Sequence, residues 1–311
     1  TRKILTLHYK KGDNMKVKDM LLEIIPLSTP DLSQLIMEYK ELYVNEWIMS
    51  KGFNYIAIYP ELIYNKVLPL LSSHIDTVNF NRIVFPKVSK DGIIKSRLRW
   101  NSNAIGEDEL TGSPIGGDDR CGVAIMLHLL SRKIPAVYLF CDKEETGCIG
   151  SKEFINSSCD YLLSRCSCYI GLDRRGKQDA AVYTYESQSL LNIVKKYGYE
   201  KKLGSVTDIA IIQDEYPKAA VNLSVGFYNE HTAMEYIDVS AFERTALIVP
   251  KVLDSVTDMV FNDLHCVDNY LFRYTIGKSN YQPKDLDYYN DYVLPYCHYT
   301  PKNKKKGKKD V

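Results

Sequence analysis

Five polar clusters in this chain follow an apolar run or open a helical one. They are "HID" after "VLPLLSS", "GGDDRCG", "KEET" after "PAVYLFCD", "DRR" after "CYIGL", and "NEH" after "VNLSVGFY". They supply two imidazoles, His74 and His231, and carboxylates at Asp76, Asp118, Asp119, Glu144, Glu145 and Asp173. Taken singly, each is an ordinary strand end, and a lone histidine there is usually a hydrogen-bonded structural residue. Taken together, so many acids in one place call for cations to offset them. Two histidines and at least three carboxylates are enough for a pair of divalent metals about 3.5–4 Å apart. One carboxylate would bridge, each metal would add one histidine and one terminal carboxylate, and positions would remain for water and substrate. Nitrogen and oxygen donors without thiolate suit zinc, cobalt or manganese. The adjacent glutamates then have separate jobs, because neighbouring side chains on an extended chain point in opposite directions. One is a ligand; the other is free to take a proton from water and hand it to a leaving amine. His74 and Asp76 share one face of a strand, so Asp76 can accept the second ring N–H of His74 and fix its tautomer.

These side chains can meet only if the elements before them end at one edge. "YIAIY", "VLPLL", "PAVYLFCD", "SCYIGLD" and "AAVNLSVGF" read as strands, and "DRCGVAIMLHLLSRK", "SKEFINS", "SLLNIVKKYG" and "SAFERTALIVPKVLDSVTDMV" as helices. "IVFPKV" and "IIKSRL" flank a hairpin turn at Asp91-Gly92, and Gly198 is the expected cap of its helix. Apolar positions at Leu35, Ile36, Tyr39, Leu42, Tyr43 and Trp47 predict one helix over residues 31–51, ended by Gly52. The alternation predicts an α/β fold, a mostly parallel mixed sheet sandwiched by helices. In such sheets, sites form outside the carboxyl ends of the strands.

Composition sets the class. The 311 residues are 45% hydrophobic and 25% charged with a formal net charge of +1, which gives no argument for nucleic acid or membrane as a partner. No apolar run approaches the roughly 20 residues that span a bilayer. The first twenty residues show no secretory signal. Eight irregularly spaced cysteines match no paired zinc knuckle and read as reduced thiols of a cytoplasmic protein. Cys166-x-Cys168, His265-Cys266 and Cys297-His298 are weaker metal candidates than the acid–histidine set. Residues 1–261 are expected to form a single catalytic domain. Residues 262–311 are a tyrosine-rich extension whose "KNKKKGKKDV" end reads as a solvated tail.

"SSHIDTV", "GGDDRCGVAIML", "KEETGCIGS", "GLDRRG" and "NEHTAMEYIDV", in this order over residues 60–260, resemble the di-zinc exopeptidase superfamily. That group includes aminoacylase, carboxypeptidase G-like enzymes, peptidase T and the lidless zinc aminopeptidases. The resemblance implies a phosphorylase/hydrolase-like zinc-exopeptidase fold with two divalent ions. It implies His74 and His231 as terminal ligands, Asp118 as the bridging ligand and Asp173 and Glu145 as further metal ligands. Glu144 resembles the general acid/base, with Asp76 assisting. The choice of Asp118 over Asp119 follows family spacing to the helix glycine, Gly122, and the peptide bond after that aspartate is often cis in the family. Relatives with a lid or dimerisation domain insert it between the Asp173-type and His231-type ligands. Here about 58 residues lie there and read as core strands and a helix, so no lid is expected.

The resulting expectation is a metal-dependent exopeptidase, an aminopeptidase or di/tripeptidase, acting on a short peptide and able to form a homo-oligomer. The alternatives are an N-acyl amino acid amidase or deacylase using the same chemistry, and a non-catalytic peptide-binding protein on this scaffold. Arg174, Thr207, Asp208 and Tyr228 are candidates for substrate contact. Thr207 or Asp208 fits equally as the N-cap of "IAIIQDE".

Overall fold

A computed structural model describes residues 15–78, 84–97, 114–157 and 160–267. The lysine-rich end, most of the tyrosine-rich extension, Cys159 and the Cys297-His298 pair lie outside them. The chain begins with α1 (Val17–Ile24) and α2 (Thr29–Tyr43), the latter capped by Ser28, whose hydroxyl accepts the Asp31 N–H. The helix predicted to run to Gly52 stops at Tyr43. Beyond it, β1 (Ile48–Lys51) pairs antiparallel with β2 (Tyr55–Tyr59). The Trp47 N–H turns back onto Val44 O, and Gly52 closes the β1–β2 turn through its N–H to Tyr55 O. Strand pairing at the sheet edge outweighs the helical spacing that Trp47 happens to continue.

Then come β3 (Leu68–His74), β4 (Phe85–Val88), β5 (Ile93–Arg97), α3 (Gly117–Ser131) and β6 (Val137–Cys141). Gly92, at φ +75°, makes the expected hairpin turn between β4 and β5. The next elements are α4 (Ile149–Asn156), α5 (Asp160–Ser164), β7 (Cys166–Arg174), β8 (Asp179–Val182), β9 (Tyr185–Ser187) and α6 (Gln188–Lys195). They are followed by β10 (Glu200–Leu203), α7 (Asp208–Glu215), β11 (Ala220–Ser224), β12 (Phe227–Tyr228), β13 (Tyr236–Asp238), α8 (Val239–Val256) and β14 (Leu264–Cys266). The strand read as "AAVNLSVGF" is split at Gly226, which takes φ +98° and packs where a Cβ would press on the backbone of Phe242. That bend sends the chain into a second sheet. β14 pairs with β9, so the ordered chain runs past residue 261.

The main sheet has the order β1-β2-β6-β3-β7-β11-β8-β10. β6, β3, β7 and β11 are mutually parallel neighbours, and β8 and β10 form a further parallel pair, while β1–β2, β2–β6 and β8–β11 are antiparallel. A smaller sheet runs β12-β13-β5-β4. The four central strands are buried on both faces, so their sequences are continuous apolar runs. On β3, Leu71 packs into one core layer while Leu68 and Leu70 pack into the other. α3 lies in the first layer beneath α1, α2 and α8, and is buried almost all round, which explains why "CGVAIMLHLL" has no polar face. α4 and α7 cover the opposite side. The four central strands β6, β3, β7 and β11 end at one edge, with His74 closing β3, Glu144 and Glu145 following β6, and Asp173 near the end of β7.

Candidate metal centre

The last residues of β3, "SSH", are the polar end of a fully buried strand, and His74 is 1% exposed. Its Nδ1 lies 3.1 Å from the carbonyl oxygen of Asp76 and 3.4 Å from Asp76 Oδ1. A carbonyl can only accept, so Nδ1 carries a ring hydrogen and Nε2 is the outward nitrogen. Nε2 faces Asp118 Oδ1 at 2.9 Å and Asp173 Oδ1 at 3.5 Å, and these acids raise the imidazole well above its ordinary range against the pull of burial. Asp76 does more than the sequence suggested. Its two carboxylate oxygens accept the backbone N–H groups of Glu144 (3.0 Å) and Glu145 (3.1 Å), fixing the turn that presents both glutamates. Burial pushes the Asp76 carboxyl up, but His74 and those two amides bring it below the usual range.

Asp118 and Asp119 have identical chemistry and face opposite ways across a cis peptide bond. The oxygens of Asp118 point to the two histidines, Oδ1 to His74 Nε2 and Oδ2 to His231 Nε2 at 3.2 Å. Asp119 is wholly buried and turned toward β3. It accepts the Ser73 hydroxyl, the His74 N–H (3.3 Å) and, at Oδ1, the Gly122 N–H (3.0 Å). One Asp119 oxygen also comes within 4.8 Å of ligand atoms of His74 and Asp173. Both its oxygens are already occupied by these donors, so we assign it to tying α3 to β3. Burial raises its carboxyl well above the ordinary range. Gly122 is required here, since a Cβ would stand 2.1 Å from Leu172 O and 2.6 Å from Asp119 Oδ2. Gly122→Ala is expected to destabilise the fold by about 1–3 kcal/mol, measured by urea unfolding.

The glutamates sit on the turn between β6 and α4. Glu145 Oε1 lies 2.9 Å from His231 Nε2, yet it is buried and accepts no well-aligned hydrogen bond among the described residues. Glu144 Oε1 receives the Cys148 thiol at 3.7 Å. Burial pushes Glu144 up to about 9 against the pull of His74, with Asp173 and Asp208 adding to the rise. Asp173 is raised to about 7, first by burial, and its Oδ2 accepts the Thr207 hydroxyl at 2.8 Å. Its backbone is clamped by Asn222 on β11, which accepts the Asp173 N–H (2.9 Å) and donates to the Asp173 carbonyl (3.1 Å). His231 lies on the loop after β12 at φ +61° with a side chain 49% exposed. The carboxylates of Asp118 and Glu145 beside its Nε2 raise it to about 10.

The four substrate candidates fall differently. Thr207 precedes α7 without capping it and holds Asp173 instead. Asp208 is buried at the first position of α7, beside Ser151 and Cys141. Arg174 pairs with Asp179 at 3.2 Å, and Tyr228 stacks on Tyr236 with centroids 4.9 Å apart. Sequence reasoning missed Ser73, Asp119, Asn222 and Arg120 as supports. The serines ending an otherwise apolar β3 were the one available signal. Arg120 is buried behind the centre, donating through Nη1 to Ile75 O and through Nη2 to Leu27 O (3.0 Å).

The residues present fit bound cations: ligand atoms of His74, Asp118 and Glu145, and of His74, Asp119 and Asp173, lie within 4.8 Å of one another. Each outward ring nitrogen faces two carboxylate oxygens, and one nitrogen carries at most one hydrogen. A neutral His74 would aim its lone pair at two anions, which is repulsive unless a positive charge lies between them. The buried Glu145 oxygen without a hydrogen bond points into the same space. Two half-sites result, one of His74, Asp173 and Asp118 Oδ1, the other of His231, Glu145 and Asp118 Oδ2. Their donors are nitrogen and oxygen, the set preferred by zinc-type ions.

Residues 54–217 match the family model for Peptidase family M28. No curated protein matches the chain. Among solved structures, a tripeptidase from Staphylococcus aureus superposes with a TM-score of 0.58 at 15% identity, covering 79% of this chain and 99% of that one. The aminopeptidase PepT from Bacillus cereus gives 0.57 at 15% identity, covering 79% and 100%. An aminopeptidase from the archaeon Desulfurococcus kamchatkensis gives 0.52 at 13% identity, covering 78% and 95%. At these identities the likeness is one of fold. The family match spans 164 of the 311 residues and includes His74, Asp118, Glu144, Glu145 and Asp173. The chain therefore belongs to Peptidase family M28, within the di-zinc exopeptidase superfamily that its motifs resemble, and is a metal-dependent peptidase.

Proposed function

We propose that this peptidase removes residues from the free N-terminus of short peptides, as an aminopeptidase or di/tripeptidase, with two divalent ions of the zinc type. One observation carries the reading: a single carboxylate, Asp118, faces both histidines, a second acid backs each histidine, and Glu144 is left over beside them. Metals held in these half-sites would lower the pKa of a water and polarise the scissile carbonyl. His74 and Asp173 would hold one ion and His231 and Glu145 the other, with Asp118 serving both. Asp76 keeps His74 in the Nδ1–H tautomer and holds the glutamate turn. Glu144 receives the proton lost by the attacking water and passes it to the departing amine nitrogen. Burial favours its protonated form, so it is a strong proton acceptor whenever it is ionised. Thr207 supports the centre through Asp173 rather than by touching substrate.

The segment between Asp173 and His231 builds β8, β10, β11 and α7 of the main fold, which supports a catalytic domain without an inserted lid. Cys121, Cys141, Cys148 and Cys168 are buried reduced thiols, which supports a reducing, cytoplasmic setting. No described helix is long and apolar enough to cross a membrane.

The test is a screen of matched free and N-acetylated peptides with zinc, cobalt and manganese added separately. Cleavage of free peptides from the N-terminal end is the expected result. Preferential release of acetate or acyl groups from N-acylated amino acids would replace this reading with an amidase. Binding without turnover under every metal would replace it with a peptide-binding scaffold.

A further inference from the structure

The turn that presents Asp118 is Ile115-Gly116-Gly117-Asp118, and its two glycines offer no side chains to anchor it. The anchor comes from 117 residues away. Glu235 is 3% exposed, with Oε2 2.9 Å from the Gly116 N–H and Oε1 3.0 Å from the Asp118 N–H. Both oxygens are thus engaged by backbone donors, so Glu235 is not itself a metal ligand. It belongs instead to the loop that carries His231, four residues earlier. The Glu235 N–H closes a turn onto Thr232 O, and the chain then enters β13, where Ile237 pairs with Ile94.

The loop and the turn are pressed together. A Cβ on Gly117 would stand 2.8 Å from both Ile237 and Phe227 and 3.2 Å from Glu235 Oε1. His231 is half exposed and lies at a left-handed φ, so its own packing does little to hold it. The Glu235 carboxylate is a direct polar link between the segment bearing His231 and the segment bearing Asp118. We propose that Glu235 is a positioning residue that sets the Asp118–His231 separation and thereby the affinity of the half-site formed by His231, Glu145 and Asp118 Oδ2. The inference rests on the metal-pair reading given above. Its effect falls most on this half-site, because in the other one only Asp118 depends on the turn, while His74 and Asp173 are held by β3 and β7 and by Asp76 and Asn222.

Zinc binding to the full chain is measured by titration against a competing chelator, with circular dichroism to follow folding. The wild type, Glu235→Gln and Glu235→Asp are compared. Glutamine keeps the volume but sets an amide NH2 against one of the two N–H donors; aspartate keeps the charge but is one methylene short. In each variant one zinc equivalent is expected to lose affinity by about 10–100-fold while the other loses markedly less, the size typical of removing a group that orients metal ligands. Unchanged affinity for both equivalents in Glu235→Gln would overturn the proposal. So would equal weakening of both, or loss of the folded signal in both variants, since either marks Glu235 as general packing. Failure of the wild type to bind two equivalents would instead remove the metal-pair reading on which the proposal stands.

Discussion

Glu144→Gln is expected to abolish peptide hydrolysis, by about 10²–10⁴-fold in kcat, while the metal content of the protein stays at the wild-type level. Glutamine has the same shape and fills the same buried place, so the Cys148 thiol keeps an acceptor and the adjacent turn keeps its amides on Asp76. What it lacks is the ability to take a proton and give it back. KM should change little, because the loss falls on the transition state rather than on substrate binding. Elemental analysis beside steady-state kinetics distinguishes this from a structural defect. Full activity in Glu144→Gln would remove Glu144 as acid/base, and lost metal would place it among the ligands.

Asp118→Ala should have the opposite signature, with activity lost because the metals are lost. Its carboxylate faces both His74 and His231, so its removal opens both half-sites at once. Metal content should fall from about two equivalents to near zero. Glu145→Ala and Asp173→Ala each remove an acid from one half-site and should cost one equivalent each. Asp119→Ala is the critical control. It removes the tie between α3 and β3, so it should lower thermal stability more than Asp118→Ala does and lower metal content less. If Asp119→Ala instead empties both positions while Asp118→Ala keeps them, the two aspartates exchange roles.

The site's location was legible in the sequence for a simple reason. Uninterrupted apolar runs fit strands buried on both faces, and parallel strands bring their carboxyl ends to one edge, so His74, Glu144, Glu145 and Asp173 had to approach one another. Direction was less legible. Asp118 and Asp119 are the same residue type one position apart, and composition alone could not separate them; the structure separates them by what each faces. Thr207 read equally as a cap or a substrate contact, and its hydroxyl goes to Asp173 instead. The overrun of α2 into β1 has a local cause, since Trp47 continues the apolar stripe of the helix while Ile48–Lys51 find a partner in β2 that no window of sequence displays. Asn222 and Glu235 stayed invisible for a related reason. Each acts on the backbone of a segment distant in sequence, 49 residues away for Asn222 and 119 for the Gly116 bond of Glu235, and backbone amides leave no trace in residue type.

Arg120 has a bearing on how this enzyme could be cut down or grafted. One side of its guanidinium holds the carbonyl between His74 and Asp76, and the other holds Leu27, in the connection between α1 and α2. The family-matched stretch begins only at residue 54 and ends at 217, before His231. A fragment trimmed to that stretch would lose a helical bracket at one end and an imidazole at the other. The smallest catalytically competent piece of this chain therefore extends beyond its recognisable family segment in both directions.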